Sequence, residues 1–228
     1  MNHDLMSANS DHPRVGVSRR RVMVGGAIAG LAGSLGFSAL TQKPAQAQNG
    51  PASILRSRAA ANDIDILNGA LYYEHQAIWA YGAAAGSLSD TDVGKAVLAI
   101  ALANQADHMA HRDTLAQVIT DLGGRPVMAM DSYDLSAYLE RGDGGLDSDV
   151  NIAKLALALE TDAAIAYASE VARLRTPELV TAGATIAAAE ASHATTIRAA
   201  FISLGVDIPF VPAPFVSADT RDQWVLKV

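Results

Sequence analysis

A carboxylate and an imidazole lie side by side in an otherwise apolar helical stretch of this sequence. Residues 71–82 read LYYEHQAIWAYG, which places Glu74 and His75 between Leu71 and Ile78. A buried charged group costs considerable free energy unless it is paired with another charge or bound to a metal ion. The stretch therefore indicates either a buried polar network or a metal site.

Two further glutamates and three further histidines occupy the interiors of predicted helices. Glu160 lies on an apolar helix face, as do Glu190 and His193, which are three residues apart. Residues at positions i and i+3 share a helix face, so Glu190-x-x-His193 presents an oxygen and a nitrogen ligand in one direction. The other two histidines, His108 and His111, belong to one preceding helix. Together these side chains are candidates for an oxygen- and nitrogen-ligated metal site.

The two halves of the chain resemble each other. When Glu74 is aligned with Glu160, Tyr81 meets Tyr167, so each half has a glutamate followed by a tyrosine seven residues later. These positions share one helix face. The alignment also matches two i, i+3 pairs, Gln105-x-x-His108 and Glu190-x-x-His193. The pattern predicts a repeated helical hairpin whose two copies face each other about a pseudo-twofold axis.

Long apolar periodicity and few aromatic residues predict an all-α fold. Start signals at serine, threonine and proline and stop signals at glycine delimit four helices, at about 59–86, 89–124, 148–175 and 176–205. Helices of this length with short connections are typical of a four-helix bundle, here made of two antiparallel hairpins. The longer connection 124–148 contains a Tyr138-Leu139 patch that predicts a short helical turn. Residues 206–228 carry three prolines and are predicted to form an extended tail on the outside of the bundle.

This arrangement resembles the ferritin-like di-metal carboxylate bundle, in which two helices each give a glutamate and two others each give Glu-x-x-His. The motif E-H-Q-A-I-W-A-Y-G also resembles a bacterial ferritin-like family of unknown function that reads E-H-x-x-x-x-A-Y-G. The resemblance covers about residues 59–205. It implies that iron or manganese is bound by five residues: Glu74, His108, Glu160, Glu190 and His193.

One position departs from the family pattern. Gln105 stands where the second helix should supply a glutamate, and a neutral amide is a weak ligand for such ions. Asn104 and Asp107 are turned away from the direction of His108, so we do not expect either of them to replace the missing glutamate. His75 and His111 lie on shifted faces, so we expect them to be weak ligands, to support the ligands from behind or to lie at the surface.

Two classes of function fit this pattern. In the first, the resemblance implies a metal-dependent oxidoreductase that reacts with oxygen or peroxide, in iron oxidation, peroxide removal or stress protection. In the second, the glutamates and histidines form a metal-free hydrogen-bond network, and the bundle serves as a structural, stress or interaction protein. The sequence leaves both open. Long bundles with apolar faces commonly dimerise, so a homodimer is expected in either case.

The first 47 residues resemble a twin-arginine export signal. Ser18-Arg19-Arg20 opens the motif, a weakly apolar run follows, and Ala45-Gln46-Ala47 matches a cleavage site of the A-x-A type. We therefore expect a periplasmic protein that is cleaved near Ala47 and has no stable membrane insertion afterwards. Residues 48–205 would then form the bundle domain.

The composition of the chain argues against several other classes of function. The formal net charge of −7 argues against nucleic acid as a partner, because binding to phosphates needs a basic surface. The chain contains no cysteine, which excludes disulfides, thiolate metal sites and cysteine catalysis.

Overall fold

The structure is a computed structural model that describes residues 51–228, with side chains from residue 57 onward. The predicted export signal and its cleavage site lie outside the described residues. Within residues 51–228 the regular secondary structure is entirely helical. None of these helices combines the length and the apolar character needed to cross a membrane.

Four long helices form the bundle, and two short ones lie in the connection and the tail. Their bounds are α1 Pro51–Ala85, α2 Asp92–Asp121, α3 Ser136–Glu140, α4 Asp149–Val171, α5 Pro177–Ser203 and α6 Arg221–Trp224. The all-α bundle predicted from the sequence is thus confirmed. Helix α1 begins about eight residues earlier than predicted. Pro51 occupies its first position, where the fixed φ of proline suits a helix start and its missing N–H is not needed.

The starts of the other long helices follow local capping chemistry. Thr91 caps α2, and its Oγ1 accepts a hydrogen bond from the Gly94 N–H at 3.0 Å. Ser148 caps α4 in the same way, accepting from the Asn151 N–H at 3.2 Å. Because such a cap satisfies a backbone donor that the helix itself leaves free, it fixes where each helix begins and which residues face inward.

The bundle is built from two helical hairpins, α1 with α2 and α4 with α5. Packing is closest within each hairpin, and the hairpins contact each other less extensively. Two apolar cores result. One holds Leu67, Leu71, Leu115, Val118, Ile119 and Leu179, and the other holds Ala153, Leu157, Ala194, Ile197 and Phe201. Glu74 follows Leu71 by three residues and Glu160 follows Leu157 by three, so the polar residues lie between the two cores.

The predicted extended tail needs correction. It contains a 3-10 helix, Ala218–Thr220, followed directly by α6, and it buries Trp224. Arg221 donates to Asp162 Oδ1 at 2.5 Å and to Asp143 Oδ2 at 2.8 Å, and Lys227 donates to Asp143 Oδ1 at 2.5 Å. These four charged residues, which we call the tail clasp, attach the tail to α4 and to the segment before it. The helical turn predicted at Tyr138-Leu139 is present as α3.

Candidate metal centre

Six buried or nearly buried side chains meet in the middle of the bundle. Helices α1 and α4 each give one glutamate, α2 gives two histidines, and α5 gives a glutamate and a histidine. They are Glu74, His108, His111, Glu160, Glu190 and His193. Side-chain exposure is 16% for His111, at most 9% for the other two histidines and at most 2% for the glutamates. Water is therefore largely excluded from the cluster, and each charge must be balanced inside it.

The cluster consists of two groups of four ligands, which we call the first and second quartets. The first is Glu74, His108, His111 and Glu190, and the second is His108, Glu160, Glu190 and His193. Within each quartet one ligand atom from every residue lies within 4.8 Å of the others. Such spacing allows a single cation to be reached by all four, because metal–ligand bonds to oxygen and nitrogen are about 2.0–2.3 Å long.

His108 and Glu190 belong to both quartets. The two ring nitrogens of His108 face opposite sides, with Nδ1 2.8 Å from Glu74 Oε2 and Nε2 3.3 Å from Glu160 Oε1. Glu190 likewise approaches His111 with Oε1 at 3.1 Å and His193 with Oε2 at 3.3 Å. His108 thus occupies the shared position that a second glutamate has in the symmetric Glu-x-x-His pattern.

Two tyrosines cross-link the hairpins at the cluster. The Tyr81 hydroxyl on α1 donates to Glu160 on α4, and the Tyr167 hydroxyl on α4 donates to Glu74 on α1. This exchange follows the sequence repeat, in which the same glutamates and tyrosines align. Because each carboxylate is held by a hydroxyl from the opposite hairpin, the two tyrosines fix how the glutamates are oriented.

Two further residues support the cluster from outside. Asn104 Nδ2 donates to Glu160 Oε1 at 3.1 Å and to the Tyr81 hydroxyl oxygen at 3.0 Å. Asp107 Oδ2 lies 3.1 Å from His193 Nε2, which leaves Nδ1 as the histidine nitrogen directed into the cluster. A carboxylate behind a ligand histidine fixes its tautomer and raises its basicity. Asn104 and Asp107 thus contact the cluster, although they were expected to turn away from His108, and as expected neither is among its possible metal ligands.

The carboxylates of the cluster differ in their pKa values. Burial alone would raise the pKa of Glu74, but its hydrogen bond to His108 and the nearby imidazole of His111 outweigh burial and lower that pKa to about 2. Contacts with His108 and His193 likewise lower the pKa of Glu160 despite its burial. Burial raises the pKa of Glu190, and the neighbouring charge of Glu160 raises it further. Two ionised carboxylates and one that resists ionisation thus share this space.

The histidines show the complementary effect. Burial opposes their charged form, but contacts with the glutamates raise the pKa of His108 to about 11, of His193 to about 10 and of His111 to about 9. Without a cation, the cluster therefore holds its charge balance with protonated imidazoles. A divalent cation would take over that role, and its binding would release protons from the histidines.

One contact in the cluster lacks hydrogen-bond geometry. His111 Nδ1 and Glu190 Oε1 approach to 3.1 Å, but they are not aligned for a hydrogen bond. Among the residues that the structure describes, these are the two buried side-chain polar atoms without a partner. Both belong to the first quartet. A cation between them would satisfy both atoms, so the donor set fits a bound metal ion.

The structure corrects the predicted register of α2. Gln105 turns away from the cluster and donates from Nε2 to the Ile78 carbonyl oxygen at 2.8 Å. The pair that matches Glu190-x-x-His193 is therefore His108-x-x-His111, three residues further along α2. His111 takes the place of the second histidine, so of the roles expected for it the structure favours that of a ligand over a supporting or surface position.

The other weak candidate, His75, lies outside the cluster. Its Nε2 is 3.3 Å from the Val127 carbonyl oxygen, in the connection after α2. The five residues that the family resemblance implied, Glu74, His108, Glu160, Glu190 and His193, are all brought together. The i, i+3 spacing of His108 and His111 was the sequence signal that could have revealed the sixth.

Comparison with known proteins agrees with the fold. The family model of the ferritin-like domain matches residues 62–203, which is more than half of the chain. The protein therefore belongs to the ferritin-like domain family. No protein with a curated description shows a significant match to it.

Among solved structures, the crystal structure of a conserved hypothetical protein, rv2844, from Mycobacterium tuberculosis is similar, with a TM-score of 0.52 and 23% sequence identity. The similarity covers 69% of this chain and 99% of the other. At this level of identity it supports the fold alone.

Proposed function

We propose that this protein is an exported ferritin-like metalloprotein that binds iron or manganese in its buried cluster. The observation that carries the proposal is the pair of quartets that share His108 and Glu190. Three carboxylates and three imidazoles form a donor set of hard oxygen and nitrogen atoms, which suits these ions. His111 Nδ1 and Glu190 Oε1 have no hydrogen-bond partner, and both atoms could bind such an ion.

Each surrounding residue has a distinct task in this proposal. Tyr81 and Tyr167 orient the two lone glutamates, Asn104 holds Glu160, and Asp107 holds His193. A bound iron or manganese ion would supply reactivity toward oxygen or peroxide, and we propose a metal-dependent oxidoreductase with a role in stress protection. The two apolar cores cover the site on two sides.

The rival function is that of a metal-free bundle with a structural or interaction role. It is favoured by the number of hydrogen bonds that the cluster forms within itself, including those from both tyrosines and from Asn104. A buried polar network of this kind is stable when its members are satisfied. The unpartnered contact of His111 with Glu190 counts against it.

Metal content separates these two functions. We expect about one or two equivalents of iron or manganese in the exported protein, measured by mass spectrometry, or after anaerobic addition of Fe(II) or Mn(II). Glu74→Ala and Glu190→Ala should lose most of the metal. Glu178→Ala, at an exposed glutamate of α5, is the matched control and should keep it. A wild-type protein that takes up neither ion would exclude the metalloprotein.

We also propose that the protein reaches the periplasm by the twin-arginine route and forms a homodimer there. Replacing Arg19 and Arg20 of the signal with lysine should leave the chain uncleaved in the cytoplasm, detected by cell fractionation.

Exposed Phe210, Val211 and Phe215 in the tail give an apolar surface for dimer contacts. Light scattering of the processed protein would measure its mass directly, and a monomer at micromolar concentration would contradict the dimer.

A further inference from the structure

A cavity of about 590 Å³ opens between α1 and α4 and reaches the metal cluster. Its inner end is formed by Glu74, Glu160 and His108, together with the two tyrosines that hold the glutamates. This volume falls in the range of sites that hold small organic ligands and is far larger than oxygen or peroxide needs. The cavity can therefore hold a molecule considerably larger than the oxidant.

The cavity exists because the facing sides of α1 and α4 carry small residues. These are Gly69, Ala70 and Ala77 on α1 and Ala163 and Ala166 on α4. The two helices belong to different hairpins, and their side chains do not fill the space between them. A Cβ atom added to Gly69 would meet no atom within 4 Å, so the space beside it is open.

Aromatic side chains form much of the remaining wall. Four of the six tyrosines of the chain line the cavity: Tyr73, Tyr81, Tyr138 and Tyr167. Tyr73 is 58% exposed, although large aromatic side chains are usually buried. Aromatic rings pack favourably against other rings and against cations, so these walls favour an aromatic ligand.

The charges around the cavity disfavour anions. Arg173 at the rim donates to Glu170 at 2.6 Å, so its positive charge is already balanced. Asp162 is balanced in turn by Arg221. Asp65 adds a negative charge at the rim, and the glutamates of the cluster lie at the inner end. A neutral or cationic molecule is therefore favoured over an anionic one.

We propose that this cavity binds a small neutral or cationic aromatic molecule beside the metal cluster. The proposal deepens the proposed function, since it rests on that function for the ligand's use as a substrate, whereas binding itself rests on the cavity. Ring stacking against the exposed Tyr73 would hold the ligand near the opening. The tyrosine and glutamate oxygens would receive its hydrogen-bonding group at the inner end.

Three probes with one ring system test the proposal: indole, which is neutral, tryptamine, which is cationic, and indole-3-acetate, which is anionic. Titration calorimetry of the full processed chain should show that indole and tryptamine bind, and that indole-3-acetate binds at least about tenfold more weakly than tryptamine. No binding of indole or tryptamine at millimolar concentration would overturn the proposal. Equal binding of the cationic and anionic probes would overturn its charge preference.

Gly69→Leu locates the binding site. Gly69 lines the cavity and an added Cβ there meets no atom within 4 Å, so we expect the leucine side chain to extend into the cavity. Replacing a helical glycine should not lower the melting temperature. We expect it to weaken binding of indole and tryptamine by at least about tenfold, since the leucine fills part of the cavity. Gly82→Leu is the control on the same helix, at an exposed position outside the cavity where an added Cβ meets only Gln105 Nε2 at 3.6 Å. Unchanged binding in Gly69→Leu would place the probes elsewhere and overturn the proposal.

Metal content of the same samples keeps the two proposals apart. Gly69→Leu leaves the six ligand residues untouched and should bind as much metal as the wild type. Probe binding without metal would contradict the metalloprotein alone, whereas metal binding without probe binding would contradict the aromatic ligand alone.

Discussion

Gln105 and His111 lie on the same helix, but only His111 faces the cluster. The amide of Gln105 is engaged by the Ile78 carbonyl oxygen, and His111 lies beside Glu190. The departure from the family pattern is therefore at His108, which stands in the shared position where a second glutamate would be expected. A histidine there supplies nitrogen to both sides of the cluster, in place of the oxygens of a carboxylate.

Introducing a glutamate at position 105 should therefore not increase the metal content of the protein. In Gln105→Glu the amide donor to Ile78 is lost, and the carboxylate would face a carbonyl oxygen. We expect unchanged metal content and a loss of about 1 kcal/mol in the free energy of unfolding, measured by mass spectrometry and urea titration. An additional equivalent of metal in this variant would show that position 105, rather than 108, belongs to the site.

His111→Ala should weaken metal binding by at least about tenfold, since a direct ligand costs no less than a supporting residue. The matched control is His75→Ala, because His75 lies outside the cluster and its Nε2 is 3.3 Å from the Val127 carbonyl oxygen in the connection. Isothermal titration with Mn(II) measures both. If His75→Ala loses as much affinity as His111→Ala, the two histidines have been assigned the wrong roles.

Among the helices and their connections, the segment before α4 contains a glycine, Gly144, that a larger residue cannot replace without strain. Gly144 has φ of 120°, and a Cβ there would lie 2.4 Å from Asn151 O and 2.4 Å from Leu155 N. Gly142 also has a positive φ, of 70°, but a Cβ there would meet nothing within 4 Å. Only Gly144 therefore combines backbone strain with a steric clash.

Gly144→Ala should lower the free energy of unfolding by about 3 kcal/mol or more, since backbone atoms of α4 cannot move away easily. Gly142→Ala should cost about 1–2 kcal/mol, the strain of a left-handed conformation alone. Urea unfolding of the two variants measures the difference. Equal losses would mean that the close approach of Gly144 to α4 is not maintained in solution.

Because of the tail clasp, we expect the free energy of unfolding to fall at acidic pH. Burial alone would raise the pKa of Asp143, but its bonds to Arg221, Lys227 and Arg141 hold that pKa at about 2, below its ordinary value of 3.8. Because the folded-state pKa is depressed, the stabilisation is fully present above about pH 4 and is lost as the pH falls toward 2.

This step amounts to about 2 kcal/mol, from a shift of somewhat less than two pKa units. Urea unfolding between pH 5 and pH 2 should show it, and Asp143→Asn should remove that part of the pH dependence. The asparagine variant should also be less stable at pH 7, because Lys227 and Arg221 lose a partner. If the variant keeps the full acid-sensitive step, other carboxylates cause it.

The repeat and the long helices were predictable because they depend on local pattern, which the sequence carries directly. The register of α2 was not, since Gln105-x-x-His108 and His108-x-x-His111 satisfy the same i, i+3 rule and differ by one turn. Which pair faces inward depends on how α2 packs against α1, and Gln105 is fixed by a contact with Ile78 in the neighbouring helix. The roles of Asn104 and Asp107 likewise follow from helix packing.

The short helices of the tail could not be predicted from the sequence for a related reason. Its prolines indicate extended chain, whereas its short helices form around contacts with distant residues, such as Arg221 with Asp162 and Asp143. Sequence pattern reports local preference and contains little information about such long-range ion pairs. The cavity between α1 and α4 also follows from how the hairpins are placed, and no single helix predicts it.

For the molecule as a whole, we expect metal binding to stabilise the fold. A ligand that binds only the folded state at about 100 times its Kd adds about 2.7 kcal/mol, or about 5–10 °C in Tm for a domain of this size. Calorimetry of metal-loaded and metal-free protein should show this difference. Glu190→Ala should show no difference between the two preparations, because both quartets lose a ligand. Equal Tm values in the wild type would contradict a metal held in the bundle core.

Anomalous X-ray scattering from crystals grown with Mn(II) would locate the metal ion itself. We expect an anomalous peak inside the bundle, within about 2.3 Å of ligand atoms of His108 or Glu190. A peak in one quartet would mean one ion, and peaks in both would mean that His108 serves two ions through its two nitrogens. Crystals of metal-binding protein with peaks only at the surface, or with none, would contradict the assignment of this cluster as the metal centre.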